Sequence, residues 1–165
     1  MRRPDLVPDC PGCAALCCVA PSFEASDAFA FDKAAGVACR HLMRDCRCSI
    51  HDALAERGFS GCAVYDCYGA GQRVTRAFAD APGAERQRNE VFSSLRVVHE
   101  LLFQLTEAAK LYPASHDELG AQLALQVAAL DALAGGPRSA LLEVDLSPHQ
   151  SAARALLRRV GDALR

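Results

Sequence analysis

Long apolar runs, an export leader and a surplus of charge are all missing from this 165-residue sequence. No stretch approaches the roughly 18 apolar residues of a membrane-spanning helix, so no membrane partner is expected. The start, Met1-Arg2-Arg3-Pro4-Asp5-Leu6, has two arginines but no apolar segment behind them, which is not a secretory pattern. A cytoplasmic, reducing setting is therefore the expectation. Net charge is -2 and the isoelectric point about 6.2, which excludes the basic footprint of a nucleic-acid binder. No Ser-His-Asp order, P-loop, G-x-G-x-x-G or H-E-x-x-H occurs, and no nucleophile or base stands out. No strong strand pattern, internal repeat or low-complexity tract is visible. Cysteine is absent from everything after Cys67.

What is present is the complement of that last absence. All nine cysteines lie between Cys10 and Cys67. Packing does not explain such crowding, because Ala or Val would pack as well without the risk of oxidation. A disulfide framework is not expected in a reducing compartment, and an odd count pairs poorly. Convergence of thiolates on a metal is the reading that remains. Cys10-Pro11-Gly12-Cys13 is a C-x-x-C pair whose Pro-Gly supplies a tight turn. Cys17 and Cys18 are adjacent; consecutive side chains diverge, so the pair suits two metals, or one of the two bridges. Cys39, Cys46, Cys48, Cys62 and Cys67 complete the set. Soft thiolates accept zinc, copper(I) or iron–sulfur alike, so the spacing does not choose the metal. Arg40, His41, Arg44, Arg47, His51 and Arg57 lie near the middle cysteines and would offset thiolate charge; each taken singly reads as an ordinary solvated residue.

Composition changes near residue 80, and Asp80-Ala81-Pro82-Gly83-Ala84 reads as a boundary. Residues 1–80 form the cysteine-cluster region and residues 85–165 a helical region, the two making one compact domain. Val91, Leu95, Val98, Leu102, Leu105 and Ala109 give a helix from about Glu85 to Leu111, stopped by Pro113. Ser115 to Glu118 reads as a capping box for a second helix, with Leu119, Leu123, Val127, Leu130 and Leu133 inward and Gly135-Gly136-Pro137 at its end. Ser147-Pro148-His149-Gln150 starts a third, with Ser147 as N-cap. It presents Leu156, Leu157, Val160 and Leu164 inward, with Arg154, Arg158, Arg159 and Asp162 toward water. In the first half one helix is expected, capped by Ser49 and ended by Gly58; Gly61 to Cys67 reads as a short extended piece, and Gly69 to Gln72 as a plain turn or, alternatively, as glycines that let the backbone approach a ligand or cluster. The fold class is thus mainly α: a metal-organised, loop-rich first half packed on an antiparallel helical second half.

The order Cys10/Cys13, Cys17-Cys18, Cys39-Arg40-His41-Leu42, Cys48-Ser49-Ile50-His51, and Gly61-Cys62 through Cys67 resembles the bacterial cysteine-cluster proteins of the YkgJ type. These are described as a zinc- or iron-chelating domain. The segments Ala25 to Lys33, Arg57 to Cys62 and Tyr65 to Gln72 look like a subgroup that carries this domain ahead of pentapeptide repeats. His99-Glu100-Leu101-Leu102 resembles it more loosely. The resemblance implies metal ligation by Cys10, Cys13, Cys17, Cys18, Cys39, Cys48, Cys62 and Cys67, by zinc or iron, an iron–sulfur cluster included; because one four-thiolate zinc would leave four of these thiols idle and open to oxidation, more than one metal atom is expected. Cys46 stands where the subgroup has an apolar residue and is expected to be a bystander. No Ala-(Asp/Asn)-Leu-x-x period occurs here, so the chain reads as a stand-alone or shortened member and no repeat-borne function is expected from it. The resemblance also implies an alternative, an accessory or catalytic domain of a protein-modifying enzyme such as a protein-lysine N-methylase. No methyl-donor pocket is recognisable in the sequence. A third role, an adaptor that meets a protein partner through the helical half, stays open.

Among the remaining residues, His51 and His41 are expected beside the ligands rather than among them. His99 is expected to be structural. Asp27, Asp32 and Lys33 are expected to pair with arginines near the cluster.

Overall fold

The computed structural model describes residues 3–113 and 117–165. Among these the protein is mainly helical, with isolated bridges in place of strands. The longest helix, α4 (Glu85–Leu111), has the bounds its apolar spacing predicts. It buries Val91, Phe92, Leu95, Val98, Leu101, Leu102 and Leu105 along one side. Each such side chain contributes about 1.5–3 kcal/mol when removed from water. Arg86–Glu90 and Arg96–Glu100 ion pairs lace its wet side, worth about 0.3–0.5 kcal/mol apiece. Pro113 follows its last turn and cannot continue it.

Helix α5 (Glu118–Gly135) is capped by Asp117, whose carboxylate accepts the Gly120 N–H at 3.1 Å and the Tyr112 hydroxyl at 2.6 Å. The expected cap, Ser115, lies outside the described residues. Because α4 and α5 pack together across so short a connection, they run antiparallel. Leu119, Leu123 and Leu130 are buried in that contact, while Val127 and Leu133 pack partly buried against it. Helix α6 (Arg138–Glu143) is too short to show periodicity and had no sequence signal. Helix α7 (Ser147–Ala163) buries Ala153, Leu156 and Val160, and leaves Leu164 at the frayed end half in water. Its start corrects one expectation: Ser147 is the first helical residue rather than the N-cap, and the Asp145 carboxylate takes the Ser147 N–H at 2.9 Å.

The first half is more helical than expected. Short turns α1 (Leu16–Val19) and α2 (Ser60–Ala63) are joined by a two-turn helix α3 (Ala70–Ala77). Thus Gly61 to Cys67 is not an extended piece, and Gly69 to Gln72 opens a helix. Gly69, at φ 81°, begins it; a Cβ there would lie 2.1 Å from the Asp5 carbonyl oxygen, so only glycine fits. Ser49 caps nothing: residues His51–Ala53 form a single 3-10 turn whose N-cap, Ile50, offers no side chain. Gly58 does adopt the expected left-handed conformation at φ 80°.

Helix α4 touches α1, α3, α5, α6 and α7. Leu6, Leu16, Ala20, Ala70, Val74 and Phe78 from the first half join the same apolar cluster as the later helices. Arg3 grips both carboxylate oxygens of Asp131 on α5 at 2.8 and 2.7 Å. Arg138 binds Asp80 at 3.0 Å and lies over the Phe78 ring.

Candidate metal-binding site

Helix α3 has two faces with different tasks. Ala70, Val74 and Phe78, at i, i+4 and i+8, face the core. Gly71, Gln72 and Thr75 face the cysteine loop. A Cβ on Gly71 would stand 2.6 Å from Cys13 Sγ and 3.9 Å from Cys67 Sγ. Both sulfurs therefore rest on the bare backbone of α3, near its positive end. The buried Gln72 amide donates to the Val7 carbonyl at 2.8 Å and accepts the Asp9 N–H at 3.2 Å, which fixes the approach to Cys10. Thr75 Oγ1 accepts the Ala14 N–H at 2.9 Å and lies 2.8 Å from the Gly71 carbonyl.

The C-x-x-C segment forms the expected tight turn, Cys10–Gly12 as a 3-10 turn with Asp9 accepting the Gly12 N–H. Ala15 then adopts φ 54°, a strained value for a residue with a Cβ. That conformation aims neighbouring amides at one sulfur. Burial pushes the Cys13 thiol pKa up, while the Leu16 N–H, the Thr75 hydroxyl and the Ala15 N–H pull it down. Burial outweighs the donors, so the net shift is upward and the thiol is favoured over the thiolate.

The other cysteines sit on a different support. Residues 23–33 fold back on themselves through the Phe23–Lys33 and Ser26–Phe29 bridges. Phe23, Phe29, Phe31, Phe59 and His41 stack into a small aromatic cluster, with Phe23 and Phe29 rings 4.4 Å apart. Arg40 covers Phe31 with its guanidinium 3.6 Å from the ring centroid. The Cys39 N–H donates to the Cys18 carbonyl at 2.9 Å. Leu42 bridges Cys48, and the Cys62 N–H donates to the Phe59 carbonyl at 3.0 Å. Lys33 is buried and donates to the Val19, Pro21 and Ala34 carbonyls. Where pairing of this polar knot, Asp27, Asp32 and Lys33, with nearby arginines is expected, Lys33 meets carbonyls and Asp32 accepts the Ala25 N–H at 2.7 Å. Burial lowers the Lys33 pKa, and the nearby Cys39 and Cys18 sulfurs raise it in part.

A local rule unites the cysteines. The carbonyls of Cys10, Cys39, Cys48, Cys62 and Cys67 each accept an N–H from three residues on, those of Cys13, Leu42, His51, Tyr65 and Ala70. Each of these cysteines therefore opens a tight turn. The thiols also feel one another. Burial raises the Cys10 pKa first, then Cys17, Cys67 and Cys13 add to it. Burial raises that of Cys62, with Cys39, Cys17 and Cys48 adding. Cys17 is pushed far up by its hydrogen bond to Cys18, then by burial. Among the described residues, no group of three or more Cys, His, Asp or Glu side chains is placed to hold a metal ion. The donor set nonetheless suits a soft cation, which favours the thiolate that burial disfavours.

Cys46 is exposed, at φ 63° on the turn between Leu42 and Cys48. His41 belongs to the aromatic cluster, and His51 is exposed beside Asp52. His99 is fully buried on α4. Its Nδ1 donates to the Tyr68 carbonyl at 2.7 Å, and its Nε2 is unpartnered. It thereby holds the residue after Cys67, itself at a left-handed φ of 50°. Of the two readings of Gly69 to Gln72, the close backbone approach is the one seen at Gly71, and His99 is structural as expected; Thr75 carries no sequence signal.

No family model matches the chain, and no solved structure matches it. The chain is similar to "Uncharacterized protein YybG" of Bacillus subtilis (strain 168), 42% identical over 123 residues, which is 70% of this chain and 44% of that protein. It thus spans less than half the length of that relative. No described helix is long and apolar enough to cross a membrane.

Proposed function

We propose that the chain is a thiolate metal-binding module in which the metal orders the cysteine loops against a helical support. The observation that carries this is the seating of Cys13 and Cys67 on the side-chain-free backbone at Gly71, where a helix face without a side chain leaves room for both sulfurs. The resemblance to the YkgJ-type chelating domain supports the same reading. Cys10, Cys13, Cys17, Cys18, Cys39, Cys48, Cys62 and Cys67 would hold the metal, and Cys46 would not. Zinc would fix the loops; an iron–sulfur centre would add electron transfer. Purification with and without oxygen, followed by elemental analysis and an absorbance spectrum, tests the proposal. A colourless protein with zinc or a brown one with iron and sulfide supports it. Protein that carries neither, and takes up no zinc when reduced, refutes it.

A further inference from the structure

We infer that the outer face of α5 is the contact surface of a two-fold dimer, where it packs antiparallel on the same face of a second copy of this chain. The inference is independent of the metal-binding reading and concerns the helical half alone.

Between Glu118 and Gly135, every exposed residue of α5 is apolar: Ala121, Ala124, Leu125, Ala128, Ala129 and Ala132. Leu125 is 70% exposed in mid-helix, away from any fraying end. The exposed sides of α4 and α7 are charged by contrast, with Glu85, Arg86 and Glu90 on one and Arg154, Arg158 and Asp162 on the other. A helix that is apolar all round belongs in an interior, and on a surface such a patch marks a contact. Polar pairs border it on both sides. Gln122 joins Glu118 and Arg159 along one edge, and Arg3 holds Asp131 along the other. An apolar centre with a polar rim is the anatomy of an interface. Shape and charge both select a second copy. Positions 121, 125, 128 and 132 follow the alternating spacing of a coiled-coil seam. A two-fold axis through the middle of this seam sets Leu125 against the partner's Ala128 and Ala121 against the partner's Ala132, so large meets small from both sides. The same axis brings Glu118 to the partner's Gly135. There the Arg73 guanidinium lies 3.7 Å from where a Cβ on Gly135 would stand. Arg73 has no ion-pair partner among the described residues, so the antiparallel arrangement supplies one at each end. The 18 residues of α5 span about 27 Å. A seam of one helix pair falls at the small end of interfaces, below roughly 1,200 Å². The dimer is therefore reversible and grows with concentration.

Sedimentation equilibrium of the full chain over a wide concentration range tests this, in reductant so that no dimer arises through intermolecular disulfides. The mass should climb from one chain toward two. Leu125→Glu should leave the helical circular dichroism unchanged, because the site is exposed, and weaken association by at least about tenfold, because a two-fold contact meets the new charge twice. Ala128→Glu, at a second exposed position, should do the same. Glu118→Arg and Arg73→Glu should each weaken association, and the two together should restore it by re-forming the pair with its signs exchanged. A mass of one chain at every concentration overturns the inference. A dimer that survives both Leu125→Glu and Ala128→Glu overturns α5 as its contact face. Failure of the exchanged pair to restore association overturns the antiparallel arrangement. None of these outcomes bears on metal content, which is measured separately.

Discussion

The two ends of the cysteine region are held by unlike means. Cys10, Cys13 and Cys67 lie on α3, whose other face is part of the main core. Cys39, Cys48 and Cys62 lie on loops braced by five mutually packed rings and a lysine bonded to three carbonyls. The first arrangement borrows its rigidity from α4 and the helices behind it. The second has only a small satellite cluster and must rely more on whatever binds its thiols. Local stability in a protein follows such differences in buried apolar contact.

Metal removal should separate the two ends most strongly. After complete chelation, limited proteolysis should cut residues 22–66 rapidly while the α3 to α7 segment stays protected and the helical circular dichroism largely persists. Equal protection at both ends would erase the contrast. Next in size is Phe59→Ala. Phe59 is 2% exposed and touches three rings of the satellite cluster, so truncation should cost about 3–5 kcal/mol within that cluster. Hydrogen exchange should rise in residues 23–62 and hardly change in α4. Spread of the effect into α4 would show the two ends to be one unit.

Gly71→Ala should act on the other end. Its methyl must displace the Cys13 sulfur, at a cost of about 1–3 kcal/mol, and metal content should fall while the loop cluster keeps its exchange protection. A variant with full metal content would remove α3 from the argument. The smallest effect concerns His99. Burial, the leading cause, holds its pKa below the ordinary value, with Arg73 and Arg3 lowering it further and the Tyr68 carbonyl and Asp5 raising it. The folded state therefore resists protonation. Stability from neutral His99 is present above pH about 6.5, the unfolded value, and is lost as pH falls toward the depressed folded value. His99→Leu should flatten the stability curve below pH 6.5 in denaturant melts, and an unchanged slope would contradict this.

Much of the helical half was readable because one stripe repeated over many turns. Val91 to Leu105 fixed α4 at both ends, helped by Pro113. Start signals were less secure. Ser147 looked like a cap, but Asp145 performs that task two residues earlier. Helix α3 escaped notice because its core stripe, Ala70, Val74 and Phe78, has only three members, and Gly69 and Gly71 on either side of Ala70 read as a turn. The satellite cluster escaped because its rings come from residues 23, 29, 31, 41 and 59, and contacts over such separations leave no period in the sequence. The cysteine motifs named a candidate ligand set; the groups that support each thiol, Gly71, Thr75, His99 and Lys33, carry no motif at all.

Cys46 offers an experimental use. It stands exposed on a turn and is not among the proposed ligands. Once the other thiols are occupied, it becomes the one address on the surface where a maleimide dye or spin label can be attached. A probe placed there sits between Leu42 and Cys48, on the less braced end of the molecule. Its signal would report the ordering of those loops in real time without a single engineered residue.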